Sequence, residues 1–125
     1  HDKALVGEVN DGNAHYFFNG VSGHAGIFAD VNAYADLCLH YMASTDELIK
    51  SSMKEHREGR GLGWQISESF PSGCGHTGFT GTSVYICKDK NIAAVTFTNR
   101  LHTKGEAKDL FSFRKELHNC ILNTI

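Results

Sequence analysis

"GHTGFTGTSVYICKDKNIAAVTFTNR" runs from Gly75 to Arg100, and its first eight residues hold three glycines and three threonines. An apolar run then begins abruptly at Val84. The small polar tip Lys88–Asn91 separates it from a second apolar run, Ile92 to Asn99. Two apolar runs joined by a short polar turn predict a β-hairpin, with a strand around 77–87 and another over 92–99. Small residues before a strand suit a place where another chain or a ligand must lie close to the backbone.

Upstream, "GRGLGWQIS" (Gly59 to Ser67) reads as a glycine-led entry into a further strand carrying Trp64 and Ile66. The loop "ESFPSGCG" follows, with the single proline, Pro71. Val31, Tyr34, Leu37, Cys38, Tyr41 and Met42 recur at three- and four-residue spacing and predict a helix from Asp30 to about Ala43. Ser44 followed by Glu47 matches a capping box and predicts a short helix over 45–56. Residues 106–123 predict a last helix, with Leu110, Phe113, Leu117, Cys120 and Ile121 on its apolar face. Residues 1–29 read as irregular, with turn signals at "NDGN" and "NGVSGHAG". The order helix, helix, three strands, helix predicts an α+β arrangement, a meander of antiparallel strands covered by helices.

Composition narrows the function classes. The chain has 125 residues, a formal net charge of −2 and 21% charged residues. That balance gives no basic footprint for a nucleic acid, and no apolar run reaches the roughly 20 residues of a membrane span. The first residues, "HDKALVGEVN", lack the basic start and apolar middle of a signal peptide. Cys38, Cys74, Cys87 and Cys120 form no CxxC pair. Cys38, Cys87 and Cys120 fall in apolar patterns and read as buried free thiols, which tips localisation toward a reducing, cytoplasmic compartment. The eight histidines show no HExxH or His-x-His, so no metal and no other cofactor is expected. His15, His40, His56, His102 and His118 read as scattered surface or helix residues.

The Gly75–Arg100 stretch resembles the third motif and following hairpin of the serine β-lactamase-like family, which includes class C β-lactamases, penicillin-binding proteins, D-aminopeptidases and related esterases. "GVSGHAGIFADVNAYADL" (Gly20 to Leu37) resembles that family's Gly-rich turn leading into a helix, and "GLGWQI" (Gly61 to Ile66) its strand before the motif. The resemblance implies that the chain is the C-terminal portion of such a domain, an incomplete fold over 1–125. It implies that His76, Thr77 and Gly78 stand where Lys-Thr-Gly is usual, on a strand that aligns a small-molecule or peptide substrate. It also implies that the Phe79 backbone amide is an oxyanion-hole donor, and that Asn99 and Arg100 lie near the substrate's carboxylate. His24, within "GHAG", is either a site-lining residue or a hydrogen-bonding post for the turn. Histidine in place of lysine at 76 makes the local charge depend on pH, which looks more like the esterase and D-aminopeptidase branches than an efficient β-lactamase.

The family's nucleophile lies in a Ser-x-x-Lys, and its tyrosine partner in a Tyr-x-Asn. "SSMK" places Ser51 three residues before Lys54, but after the Gly-rich turn rather than well before it. No Tyr-x-Asn occurs. Ser51 is therefore expected to be a chance match, and this chain alone inactive. A Cys74/His76 pair is set aside for the same lack of context. The Ile92–Asn99 strand would leave an apolar edge that a missing N-terminal segment or a second copy should cover. A non-catalytic binding module derived from the same fold is the alternative.

Overall fold

A computed structural model describes residues 5–102 and 106–124. Residues 103–105 of the "RLHTKG" loop and the first four residues lie outside the described ones. The chain forms two compact units, residues 1–30 and 31–125.

In the first unit, Asp11 caps a one-turn helix α1 (Gly12–Tyr16) by accepting from the Ala14 amide at 2.8 Å. Ala14 and Val9 are buried there, whereas Tyr16, Phe17, Phe18, Val21, Ile27 and Phe28 are exposed.

The second unit carries helices α2 (Val31–Ala43) and α3 (Glu47–Ser52) and strands β1 (Cys74–Thr77), β2 (Ser83–Cys87) and β3 (Ile92–Thr96). A 3-10 turn (Lys88–Lys90) joins β2 to β3, and helix α4 (Phe111–Thr124) closes the unit. The sheet is antiparallel in the order β1-β2-β3, with Gly75 opposite Tyr85 and Tyr85 opposite Ala94. The expected α+β class holds. Strand periodicity sends alternate β2 side chains to opposite faces, and both faces are covered. Val84 and Ile86 pack with Cys74 and with Cys38 and Met42 of α2. Tyr85 and Cys87 pack with Phe70, Ile92 and, on α4, Ile121 and Leu122. Every residue of β2 is buried, because the strand lies between helices as well as between strands.

Several expected boundaries shift, each for a visible reason. The single strand expected over 77–87 is two strands separated by the loop Gly78–Thr82. Within that loop the Gly78 amide donates to the Thr82 carbonyl at 2.8 Å, closing a hairpin that the β-forming threonines had concealed. The strand expected over 61–66 does not form; only Gln65 exchanges backbone hydrogen bonds with Gly75, at 2.7 and 3.0 Å. Strand β3 ends at Thr96, three residues before Asn99. The cap of α3 is Asp46, whose carboxylate accepts from Leu48 and Ile49, while Ser44 accepts from the Asp46 amide. That later cap shortens the helix expected over 45–56.

Helix α4 starts at Phe111, and its most buried residues are Arg114 and His118 rather than Phe113 and Cys120, both exposed. His118, expected among the scattered surface or helix residues, lies on α4 but is fully buried, and stacks on Tyr85 and Phe70 at 4.8 and 5.4 Å between ring centroids. Its Nδ1 donates to the Ser69 carbonyl at 2.6 Å. Cys38, Cys74 and Cys87 are buried free thiols.

Candidate functional site

β1 ends at Thr77, and the chain turns at once through Gly78–Thr82 into β2. The glycines here make room for the protein itself. A Cβ on Gly75 would lie 2.3 Å from two carbons of the Phe70 ring and 2.3 Å from the Val84 carbonyl oxygen. On Gly78 it would lie 2.0 Å from the Thr82 hydroxyl. The substrate-side explanation for small residues is thus joined by an internal one: the ring stack and the tight hairpin already occupy that space.

The loop is held by its carbonyls. Arg114 Nη2 donates to Gly78 and Thr82, at 3.2 and 3.0 Å. Arg100 donates through Nε to Phe79 at 2.7 Å and through its amide to Thr80 at 2.8 Å. The Thr98 hydroxyl donates to Gly81 at 2.6 Å. All five loop carbonyls are therefore accepting from the protein. The peptide bonds are trans, so each carbonyl held from one side turns the following amide to the other. The Phe79 amide follows the Gly78 carbonyl, and it meets no acceptor among the described residues.

His76 is exposed, and its Nδ1 lies 2.9 Å from the Thr77 carbonyl. A carbonyl can only accept, so Nδ1 carries the proton. Nε2 then offers a lone pair when the ring is neutral and a second donor when it is protonated. Thr77 and Gly78 are half-buried beside it. The Phe79 side chain is exposed, with the Arg100 guanidinium 5.1 Å above its ring centroid. Arg100 Nη1 also donates to the Lys108 carbonyl at 3.1 Å. Asn99 is exposed, and its side-chain oxygen accepts from the Leu101 amide at 3.0 Å. β1 and its loop thus unite His76, Thr77, Gly78 and Phe79, and Arg100 joins them through the loop.

His24 lies in the first unit, and both its ring nitrogens are engaged there. Nδ1 meets the Ser22 hydroxyl at 2.6 Å, and Nε2 meets the Asp11 carboxylate at 3.0 Å. Asp11 is held below the usual carboxylate range, first by the Ala14 amide and then by His24. Ser51 does not face a free base: its hydroxyl lies 3.2 Å from His56 Nε2, which also meets the Ser51 carbonyl at 2.8 Å. Cys74 is buried, and that burial pushes its thiol up to about 12, unlike a nucleophile. Among the described residues no group of three or more histidine, cysteine or carboxylate side chains is arranged to hold a metal ion.

Sequence reasoning missed Arg114. The available signal was an arginine standing four residues after Leu110 and four before His118, inside the buried stripe of α4.

The profile of the beta-lactamase family matches residues 2–118. The chain belongs to the beta-lactamase family. It is 31% identical over 121 residues to a protein of Escherichia coli O157:H7 bearing the provisional name D-alanyl-D-alanine carboxypeptidase, covering 78% of this chain and 27% of that relative. The Escherichia coli K12 counterpart is 31% identical over 125 residues, covering 81% and 28%. One from Salmonella enteritidis PT4 is 30% identical over 125 residues, with the same coverage. The chain spans just over a quarter of the length of these curated relatives. No solved structure matches it. Among the described residues, no helix is long and apolar enough to cross a membrane.

Proposed function

We propose that this chain supplies the substrate-aligning strand and one oxyanion donor of a serine hydrolase that works through an acyl-enzyme. Its substrates would be peptide, ester or β-lactam carbonyls. The relatives' name favours a D-amino-acid peptide among them. The observation that carries this reading is the unpaired Phe79 amide at the end of β1, turned away from a loop whose carbonyls are all taken. A preorganised amide aimed at the developing negative charge of a tetrahedral intermediate is a large source of acyl-transfer catalysis. In this reading His76, Thr77 and Gly78 lie along the bound substrate. The His76 Nε2 hydrogen-bonds it. Asn99 stands at the carboxylate end, and His24 braces the Gly-rich turn through Ser22 and Asp11.

The nucleophilic serine and its activating partners belong, in this reading, to a part of the parent protein outside these 125 residues. Two features support a larger body. Among the described residues, the outer edge of β3 pairs with no strand. The first unit exposes Tyr16, Phe17, Phe18, Val21, Ile27 and Phe28 together, an unusual amount of apolar surface for one short segment. An N-terminal segment of the parent, rather than a second copy, would cover the β3 edge.

The test is acylation. The full-length parent, incubated with a chromogenic acyl ester or benzylpenicillin, should gain the mass of one acyl group on a serine outside this chain. His76→Ala should lower turnover. Hydrolysis by this chain alone that disappears with Ser51→Ala would refute the reading.

A further inference from the structure

We propose that Arg114 is a positioning residue of this site: from inside the fold, its guanidinium holds the carbonyls of Gly78 and Thr82 and so fixes the direction of the Phe79 amide. The inference rests on the reading that this amide serves the oxyanion.

Three observations carry it. First, Arg114 sits in the buried stripe of α4 with only 9% of its surface exposed. An arginine is a costly choice for such a position unless its charge and donors are used. Second, its use is specific. One nitrogen, Nη2, bridges the first and last residues of the five-residue loop, 3.2 Å from the Gly78 oxygen and 3.0 Å from the Thr82 oxygen. These two carbonyls also accept from the Gly81 and Gly78 amides, the two hydrogen bonds that close the loop on itself. Arg114 therefore grips the hairpin at its closure point. Third, Gly78 C=O and Phe79 N–H share one peptide plane. A trans peptide points them in opposite directions, so a donor that pulls the carbonyl inward aims the amide outward.

The guanidinium does more than hold geometry. Among the described residues it makes no ion pair with a carboxylate, and its Nε is buried without a hydrogen-bond partner. Its charge is met by no carboxylate in direct contact, with Asp109 acting on it only at longer range, and it stands behind the peptide whose N–H would face the oxyanion. Hydrogen bonds from a charged donor are shorter and stronger than neutral ones, and they polarise the peptide toward a better donor on its far side. Arg100 takes the next two carbonyls, Phe79 and Thr80, but from a partly exposed position. Of the two arginines, the buried one is the fixed post.

The experiment uses the full-length parent with Arg114→Gln and Arg114→Lys. Turnover of a chromogenic acyl ester is measured per folded molecule, and phenylboronic acid affinity is measured alongside, since its tetrahedral serine adduct places an oxygen at the oxyanion position. Arg114→Gln should lower kcat about 10- to 100-fold, somewhat less than loss of a whole oxyanion donor. KM should stay within about threefold, and phenylboronic acid binding should weaken in parallel. Arg114→Lys keeps the charge and one reachable carbonyl, and should lose only about three- to tenfold. A purely structural arginine would lower the folded fraction and leave kcat per folded molecule unchanged, which would overturn the proposal. A loss confined to KM would overturn it too. Should Arg114→Gln fail to fold, Arg114→Lys decides alone, with wild-type kcat as the refuting result. A wild-type parent that neither turns over the ester nor binds phenylboronic acid would overturn the oxyanion reading itself. An active wild type with an unaffected variant would remove only Arg114's part.

Discussion

Replacing Gly75 by alanine tests the packing around β1 most sharply. The new methyl would stand 2.3 Å from Cδ1 and Cε1 of Phe70 and 2.3 Å from the Val84 carbonyl oxygen. Neither neighbour can yield cheaply. The Phe70 ring is 1% exposed and packed against His118 and Tyr85. The Val84 carbonyl belongs to the strand that pairs on both sides. Overpacking of this kind costs about 1–3 kcal/mol, and a rigid neighbour on each side places Gly75→Ala at the top of that range. The stiffer unfolded chain returns about 0.4–1 kcal/mol, leaving a net loss of about 2–2.5 kcal/mol. For a domain of this size that lowers Tm by roughly 6–12 °C. Urea unfolding followed by far-UV circular dichroism measures it. The double variant Gly75→Ala/Phe70→Leu supplies the decisive comparison. Removing the ring should relieve part of the clash, so the pair should cost less than the sum of its members. An unchanged urea midpoint for Gly75→Ala, or strict additivity in the pair, would refute the packing described here.

Two further predictions concern buried groups. Cys120 is the exposed thiol, while Cys38, Cys74 and Cys87 are buried, so a disulfide reagent at pH 8 should titrate one thiol quickly and three only after denaturation. With its thiol pushed up to about 12 by burial, Cys74 holds about one thiolate in ten thousand at that pH; fast labelling there would contradict the structure. Burial also lowers the affinity of His118 for a proton, with the Ser69 carbonyl opposing and the Arg114 charge reinforcing that effect. The unfolded chain then binds the extra proton first as the pH falls below about 6.5. Stability should therefore drop from that point downward through the folded-state value, by up to about 1.4 kcal/mol per pH unit. His118→Phe should flatten this part of the profile, and parallel profiles for the two proteins would be evidence against it.

Much of the scaffold was legible because its elements follow simple periods. The α2 helix, the apolar run of β2 and the "KDKN" tip stand where spacing places them, although Val31 and Leu37 of the expected α2 stripe are exposed. The departures share a cause: backbone groups satisfied by distant side chains. Threonines at 77, 80 and 82 favour strand, yet Arg114, Arg100 and Thr98 draw the carbonyls of 78–82 out of any ladder. The "GLGWQI" run has strand-like residues, but its backbone bonds are mostly turn-like, Gly61 to Trp64 and Ile66 to Gly59, and only Gln65 pairs with β1. On α4, ranking positions by apolarity selects Phe113 and Cys120, whereas the buried positions carry Arg114 and His118, whose Nη2 and Nδ1 atoms have partners remote in sequence. The proposed site residues His76, Thr77 and Gly78 could be named from the motif. The arginine behind them could not, because its role depends on a contact more than 30 residues away.

That distance also gives the site a schedule. Synthesis runs from the N-terminus, so β1, its loop and β2 emerge well before α4. Until Arg114 leaves the ribosome and α4 docks, the hairpin can pair while the Gly78 and Thr82 carbonyls still lack their donor from α4. The final orientation of the Phe79 amide is thus among the last events in the making of this segment. A nascent chain halted before residue 114 would carry every residue of the motif and still lack the arginine that holds its loop.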